Sequence, residues 1–560
     1  MRSTAAAASA STLASLLLLL SAVHALPELA IAKQGGRLVA RPLARRDDTG
    51  ILANRGTLST NVYDILAYSG GGAYYANVTV GTPPQPQVVI LDTGSSDLYF
   101  DAATAPACEA TGPYSCRDGT FAPKDSSTYS VAHPSPAFNT SFGDGSSATG
   151  PFGQDVVGVG DLLISGVQFG VAEAVNSTTG YAIGLMGLGY SANEASAYNP
   201  TPFLYPNMPE VLRDTGVINS RLYSVFLASL AEISGTILFG GVDTSRYTGA
   251  LTTLDILPDA YSGAIDQFIS TVTALSSTTA GQTTNLFTGG SNNANAYDST
   301  DTALPVLLDT GSSAWSVPTS YYNAYLAPLY PFVDTSGLCP CSYASDSSVP
   351  SLIIEFGGRV NITVPASELI VPIYNSTTDE PEIYDTAGHA ACAFMIVAAE
   401  PNGSGFQTLG DAVLRSMYVV FDLDNGQLSV AQASNSSTDT PSVIEIPAGA
   451  SGIASALSQH SYSAAQASQT YSIAAEAQSA TGSFEVSTAQ STIGVATGSA
   501  AVPEDAQIGA TGAVSGGSGS ATGTGSAGAG ATSSSAASVA GGGIEGFGFG
   551  AGVGGGGGGV

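Results

Sequence analysis

The chain has 560 residues, of which 44 are Asp or Glu and only 14 are Lys or Arg, giving a formal charge of −30 at pH 7. So acidic a chain has little with which to neutralise a run of phosphates or dock on an anionic bilayer, which excludes nucleic acid and such membranes as partners. It carries no G-x-x-x-x-G-K-[ST] loop, no H-E-x-x-H and no C-x-x-C, so nucleotide and zinc chemistry are set aside and no metal or other cofactor is expected.

The N-terminus reads as a secretory signal over residues 1–25. Arg2 gives a positive start, Leu16 to Leu20 form an apolar core, and Val23-His24-Ala25 fits a small-x-small cleavage site. The apolar run is too short to span a bilayer. Residues 26–46 follow as a basic segment ending in the dibasic pair Arg45-Arg46, read as a propeptide. Six of the basic residues lie at or before Arg46, against a single acid there, Glu28. Beyond Arg46, eight basic residues face 43 acidic ones, a net of −35. A body of that charge repels itself at neutral pH and relaxes as its carboxyls protonate, so it suits acid.

Residues 60–435 read as the folded part. Short apolar or β-branched runs alternate with Gly, Pro, Asn and Asp clusters, as at Tyr74–Val80, Gln87–Leu91, Val156–Val159, Thr236–Phe239, Leu352–Phe356 and Met417–Leu423. The pattern predicts an all-β body with one short helix near Met208–Thr215. Residues 436–560 are dominated by Ser, Ala, Gly and Thr, with no Lys or Arg. Such a segment buries too little apolar surface to offset its chain entropy and is expected to be a disordered stalk. Its glycine-rich end is too polar and flexible to make a good lipid-anchor signal, so an anchor stands as the weaker alternative.

Export makes disulfides plausible for the five cysteines. Cys108 and Cys116 can close a small loop, and Cys341, or else Cys339, is the partner expected for Cys392. Seven N-x-[ST] sequons, at Asn77, Asn139, Asn176, Asn361, Asn375, Asn402 and Asn435, fit a secreted glycoprotein, extracellular or held at a cell wall.

The informative feature is an internal repeat. Val88-Val89-Ile90-Leu91-Asp92-Thr93-Gly94-Ser95-Ser96 recurs as Pro305-Val306-Leu307-Leu308-Asp309-Thr310-Gly311-Ser312-Ser313. One D-T-G-S is weak evidence, but two, each following an apolar strand, are hard to attribute to chance. A carboxylate at the end of a buried strand is costly unless neighbours donate hydrogen bonds to it. Glycine lets backbone N–H groups approach, and Thr and Ser hydroxyls supply further donors. Two such loops brought together would oppose two carboxyls that share a proton, one serving as base on a water and the other as acid on a carbonyl.

With these motifs the chain resembles the pepsin-like aspartic peptidases over residues 60–435. Val80-Gly81-Thr82-Pro83-Pro84-Gln85 looks like the family's lead into its first aspartate. Ile183-Gly184-Leu185-Met186-Gly187-Leu188-Gly189 is similar to its partner loop, Phe239-Gly240-Gly241-Val242-Asp243 to the end of its first lobe, and Thr408-Leu409-Gly410-Asp411 to the close of its second. The resemblance implies an all-β, bilobal fold, with an N-terminal lobe over 60–250, a C-terminal lobe over 251–435, and Asp92 and Asp309 facing each other at the floor of a cleft. It also implies that Thr93 and Thr310 cross-link the two loops and that Ser95 and Ser312 hold the outer carboxylate oxygens. The expected activity is acid endopeptidase cleavage of polypeptides by a monomer, made as a zymogen with its own propeptide as inhibitor.

Two positions depart from the family pattern. The flap stretch is Ser141-Phe142-Gly143-Asp144-Gly145-Ser146, with Phe142 where a tyrosine is usual, and Tyr99 replaces the tryptophan that pairs with it. Tolerated variation is the favoured reading, because the flap's shape rather than one hydroxyl excludes water. Asp144 resembles an acidic flap residue with which some fungal members accept a basic side chain; a turn-forming Asp is the plainer alternative. Hydrophobic side chains on both sides of the cleaved bond are the default. The rival to the peptidase reading is a non-catalytic, pepsin-shaped binding or cell-surface protein, for which the altered flap is the sole support.

Overall fold

The β-branched runs fold as strands, most of them longer than their apolar cores. They include Gly72–Val80, Gln85–Asp92, Ser147–Val159, Ser234–Phe239, Ser351–Phe356 and Met417–Asp422. The computed structural model describes residues 56–463 apart from short stretches, the longest being 67–71, 295–301, 376–379, 400–405 and 436–439. It also describes strand backbones at Glu28–Gln34, Arg37–Leu43, Gly494–Ala496 and Gln507–Gly509. The first two of these form an antiparallel hairpin within the basic leader. The signal segment, Arg45-Arg46 and most of the Ser/Gly-rich tail lie outside the described residues.

The expected helix is present at Met208–Asp214. Asn207 caps it by accepting the Glu210 N–H, and Met208, Pro209, Val211 and Leu212 are buried. Among the described residues no helix is long and apolar enough to cross a membrane.

The fold is all-β and bilobal. One extended sheet holds the first lobe's strands and continues through Leu222–Phe226 into Met417–Asp422, paired antiparallel with Leu222 opposite Asp422. Gln427–Ala433 then pairs with both Met417–Asp422 and Tyr247–Asp255. The last strands of the second lobe's sequence thus join the sheet that ties the lobes together. The remainder of the second lobe holds a separate nine-stranded sheet built around Ile269–Thr279 and Thr302–Leu308, with a small three-stranded sheet of Leu338–Pro340, Ala391–Phe394 and Ile370–Pro372.

The ordered body runs past Asn435, the boundary expected from composition. Val443–Glu445 pairs with Gly241–Asp243, and a short helix follows at Gly452–Ala456. Ile446, Ile453 and Leu457 are buried against Val242, Tyr247 and Tyr418. Full burial of such side chains is worth about 1.5–3 kcal/mol each. Three apolar residues in a Ser/Ala-rich stretch are therefore enough to fix it, a signal that bulk composition averages away.

Candidate active site

Each aspartate ends a buried strand, and each strand is matched by a parallel neighbour. Gly184–Gly187 runs beside Gln85–Asp92, with Gly187 opposite Asp92. In the second lobe Gln407–Leu409 runs beside Thr302–Leu308, with Leu409 opposite Leu308. The neighbouring glycines are sterically required: a Cβ on Gly187 would fall 2.5 Å from the Ser96 backbone, and one on Gly410 would fall 2.2 Å from the Ser312 carbonyl oxygen.

The two D-T-G-S-S loops meet with near two-fold symmetry. Thr93 Oγ1 donates to the Leu308 carbonyl at 2.8 Å and accepts the Thr310 N–H at 3.0 Å. Reciprocally, Thr310 Oγ1 donates to the Leu91 carbonyl at 2.7 Å and accepts the Thr93 N–H at 3.2 Å. Within each loop the aspartate is held by its own neighbours. Asp92 accepts from Gly94 N–H at 2.7 Å and Ser95 Oγ at 2.5 Å, and Asp309 from Gly311 N–H at 2.8 Å and Ser312 Oγ at 2.7 Å.

These bonds bring the two carboxyls together at the junction of the loops, both fully buried. Gly94 permits the approach, since a Cβ there would lie 2.6 Å from the Asp309 carboxyl carbon. Burial raises both carboxyls above the ordinary range. Asp309 is raised furthest because the Asp92 charge adds to burial, while the hydrogen bonds to Asp92 pull the other way. Each carboxyl therefore binds its proton more tightly than a free Asp does, the direction expected of two acids buried together.

The hairpin made by Ser130–Ser141 and Ser147–Val159 carries the flap residues, with Ser141 paired to Ser147. Its turn spans Phe142 to Ser146, closed by Phe142 N–H to the Ser146 carbonyl at 2.8 Å and Gly145 N–H to the Phe142 carbonyl at 3.0 Å. Gly143 is exposed at the tip. The half-buried Asp144 shapes the turn, accepting from Ser146 N–H at 2.8 Å, Ser146 Oγ at 2.7 Å and Thr178 Oγ1 at 3.0 Å. Phe142 is buried, with its ring centroid 6.4 Å from that of Tyr99.

Cys108 is bonded to Cys116 and Cys341 to Cys392, leaving a buried Cys339 directly opposite Cys392 in the strand register. His133 stacks on Phe203, and the exposed His389 pairs with Asp385.

Several buried polar residues near the cleft carried no motif. Asp97, just past the first loop, accepts from Tyr205 and from the Ala195 N–H, and Glu194 is buried close by. Arg415 donates from Nε to Glu368 at 2.8 Å and lies 4.0 Å from Asp64 of the first lobe. A lone Arg between Val413-Leu414 and Met417-Tyr418 was the available signal for the second group, since a charge inside an apolar run calls for a partner.

This fold and this pair of opposed loops define an aspartic peptidase. Residues 73–433 match the family described as eukaryotic aspartyl protease, and the chain belongs to it. It is 34% identical to the probable aspartic-type endopeptidase opsB of Aspergillus fumigatus, over 68% of this chain and 73% of the relative. It is 34% identical to an acid protease of Saccharomycopsis fibuligera, over 64% and 80% of the two chains. With secreted aspartic protease 8 of Candida albicans it shares 32%, over 70% and 82%. The protein is an aspartic-type endopeptidase, a hydrolase whose substrates are polypeptides.

Proposed function

We propose that Asp92 and Asp309 cleave the peptide bond by general acid–base activation of a water held between them. The near-symmetric meeting of the two loops, with both carboxyls fully buried and the Gly94 position against the Asp309 carboxyl, supports this. Aspartic proteases are the standard instance of two opposed carboxyls sharing one proton. The two loops are nearly equivalent, so either carboxyl can start in either role: the ionised one, written here as Asp92, takes a proton from the water as its oxygen attacks the carbonyl carbon, while the protonated one, Asp309, gives its proton to the carbonyl oxygen. In the collapse of the tetrahedral species Asp92 returns its proton to the amide nitrogen as the C–N bond breaks, and a hydroxyl of the diol reprotonates Asp309.

The same reading makes the protein a secreted, acid-active monomer released from a zymogen. Its basic 26–46 segment would sit on the acidic body until acid weakens the contact. A chain lacking 26–46 that still folds and stays latent at neutral pH would count against that inhibitor. The decisive experiment is hydrolysis of denatured haemoglobin across pH 2–7, with and without pepstatin, beside Asp92→Asn. Cleavage confined to acid and abolished by both is expected; cleavage surviving in the variant would refute the assignment.

A further inference from the structure

A chain of contacts joins the flap to the catalytic floor through the 191–205 segment. Phe152, on the returning flap strand, packs edge-on against Phe203 and Tyr205 at centroid distances of 5.3 and 5.6 Å. His133, on the outgoing strand, stacks on Phe203 at 4.1 Å. Phe138 links Phe152, at 5.5 Å, to Tyr99, at 5.6 Å, and Tyr99 meets Phe142 of the flap turn. The far end of Tyr205 is polar and points the other way, its Oη donating to Asp97 Oδ1 at 2.6 Å.

Asp97 belongs to the floor. Its other carboxylate oxygen accepts the Ala195 N–H at 2.7 Å, and its carbonyl accepts the Gly187 N–H at 2.8 Å, next to the strand pairing that carries Asp92. Glu194 closes the network by accepting the Tyr205 N–H at 3.0 Å, while its second oxygen is buried without a hydrogen-bond partner.

We infer that Tyr205 is a positioning residue for the cleavage reaction, registering the flap hairpin on the catalytic floor through Asp97, with Glu194 as the acid-dependent member of the tie. The inference rests on the reading of Asp92 and Asp309 as the catalytic pair. A flap held in register closes reproducibly over the substrate, and one that is not costs both binding and turnover.

The charges around the tie give it a direction with pH. Glu194 faces Asp97, Tyr205 and Glu210, and Glu210 is itself engaged by Arg221 and Ser191. Burial and then the Asp97 charge raise Glu194 well above the usual carboxylate range, and burial brings Asp97 to about 6 against its two donors. In acid the pair carries at most one negative charge, and Tyr205 keeps both bonds. As pH rises through these values a second buried charge appears with no cation among the described residues to meet it, and the tie loosens.

The test uses the processed full chain, an internally quenched peptide taken from a haemoglobin cleavage site, and pepstatin titration to count active sites. Tyr205→Phe is expected to lower kcat per titrated site by about five- to tenfold and to raise KM, because flap register affects both. Loss of fold alone would reduce the titrated sites and leave both constants unchanged. Glu194→Gln, which keeps the shape of the neutral acid, is expected to move the neutral limb of the pH profile up by about one unit. Constants for Tyr205→Phe within about twofold of the parent per titrated site, or a Glu194→Gln profile that superimposes on the parent's, would overturn the inference. Residual cleavage by Asp92→Asn would instead overturn the catalytic assignment beneath it.

Discussion

Asp92 and Asp309 on one side, and Asp64, Glu368 and Asp411 on the other, are all buried where the lobes meet, yet the chain handles the two groups in opposite ways. Among the described residues, none places a cation at the floor. Each carboxyl is held by the serine hydroxyl and a backbone N–H of its own loop. In the second group Arg415 sits among the carboxyls, donating to the Glu368 side chain at 2.8 Å and its carbonyl at 2.7 Å, with Asp64 at 4.0 Å. Glu368 also accepts the Leu230 N–H at 2.9 Å, which fastens first-lobe backbone to a second-lobe side chain. A buried acid supplied with neutral donors stays available for proton exchange, whereas one supplied with a guanidinium becomes a fastener.

The largest test of that contrast is at the floor. Asp309→Asn should abolish turnover, a loss of about 10³-fold or more, while leaving the thermal midpoint near or above the parent's, because one buried acid is removed without orphaning a charge. A large drop in stability with activity retained would reverse the roles of the two groups.

Arg415→Met should do the opposite. Removing the cation from a buried cluster costs about 3–5 kcal/mol of stability, with kcat per pepstatin-titrated site unchanged. Denaturant unfolding at two pH values sharpens the point. The loss should be greater near pH 6 than near pH 3, where the carboxyls are already neutral.

Asp64 gives a finer measure of pH dependence. Burial raises it to about 6, against the pull of Arg415 and with the help of Glu368. A carboxyl that binds its proton more tightly when folded contributes stability that is complete below about pH 4 and is lost as pH rises through the folded value. Asp64→Asn should therefore flatten the fall in stability between about pH 4 and 6; an unaltered slope would remove Asp64 from the account.

The smallest expected effect is at the flap. Phe142→Tyr adds a hydroxyl beside Tyr99 and should raise turnover by no more than about threefold. Unchanged kinetics would show that Phe142 serves by packing alone.

The floor was legible because it is local and repeated. An apolar strand, an acid, a small flexible residue and hydroxyls stand close together in the same order, twice, and the Gly N–H and Ser hydroxyl that hold each carboxylate lie within three residues of it. The fastener was not legible, because Asp64, Glu368 and Arg415 lie on three separated segments and none has a motif. The Tyr205 tie was hidden for the same reason: Asp97 and Tyr205 are 108 residues apart. Composition also placed the end of the ordered body near Asn435, and Ile446, Ile453 and Leu457 carry it further.

The flap divides along the same line. Its hairpin could be read from Asp144-Gly145, but the engagement of Asp144 by Thr178 depends on the stretch just after the strand Ala174–Asn176, which comes alongside only in the fold. By itself the sequence determined the β class, the two aspartates and the donors beside them, since those rest on strand periodicity and on bonds closed within a few residues. Only the tertiary structure decided which distant charges would be buried together. Desolvation depends on what packs around a group from every side, and no single segment of the chain carries that information.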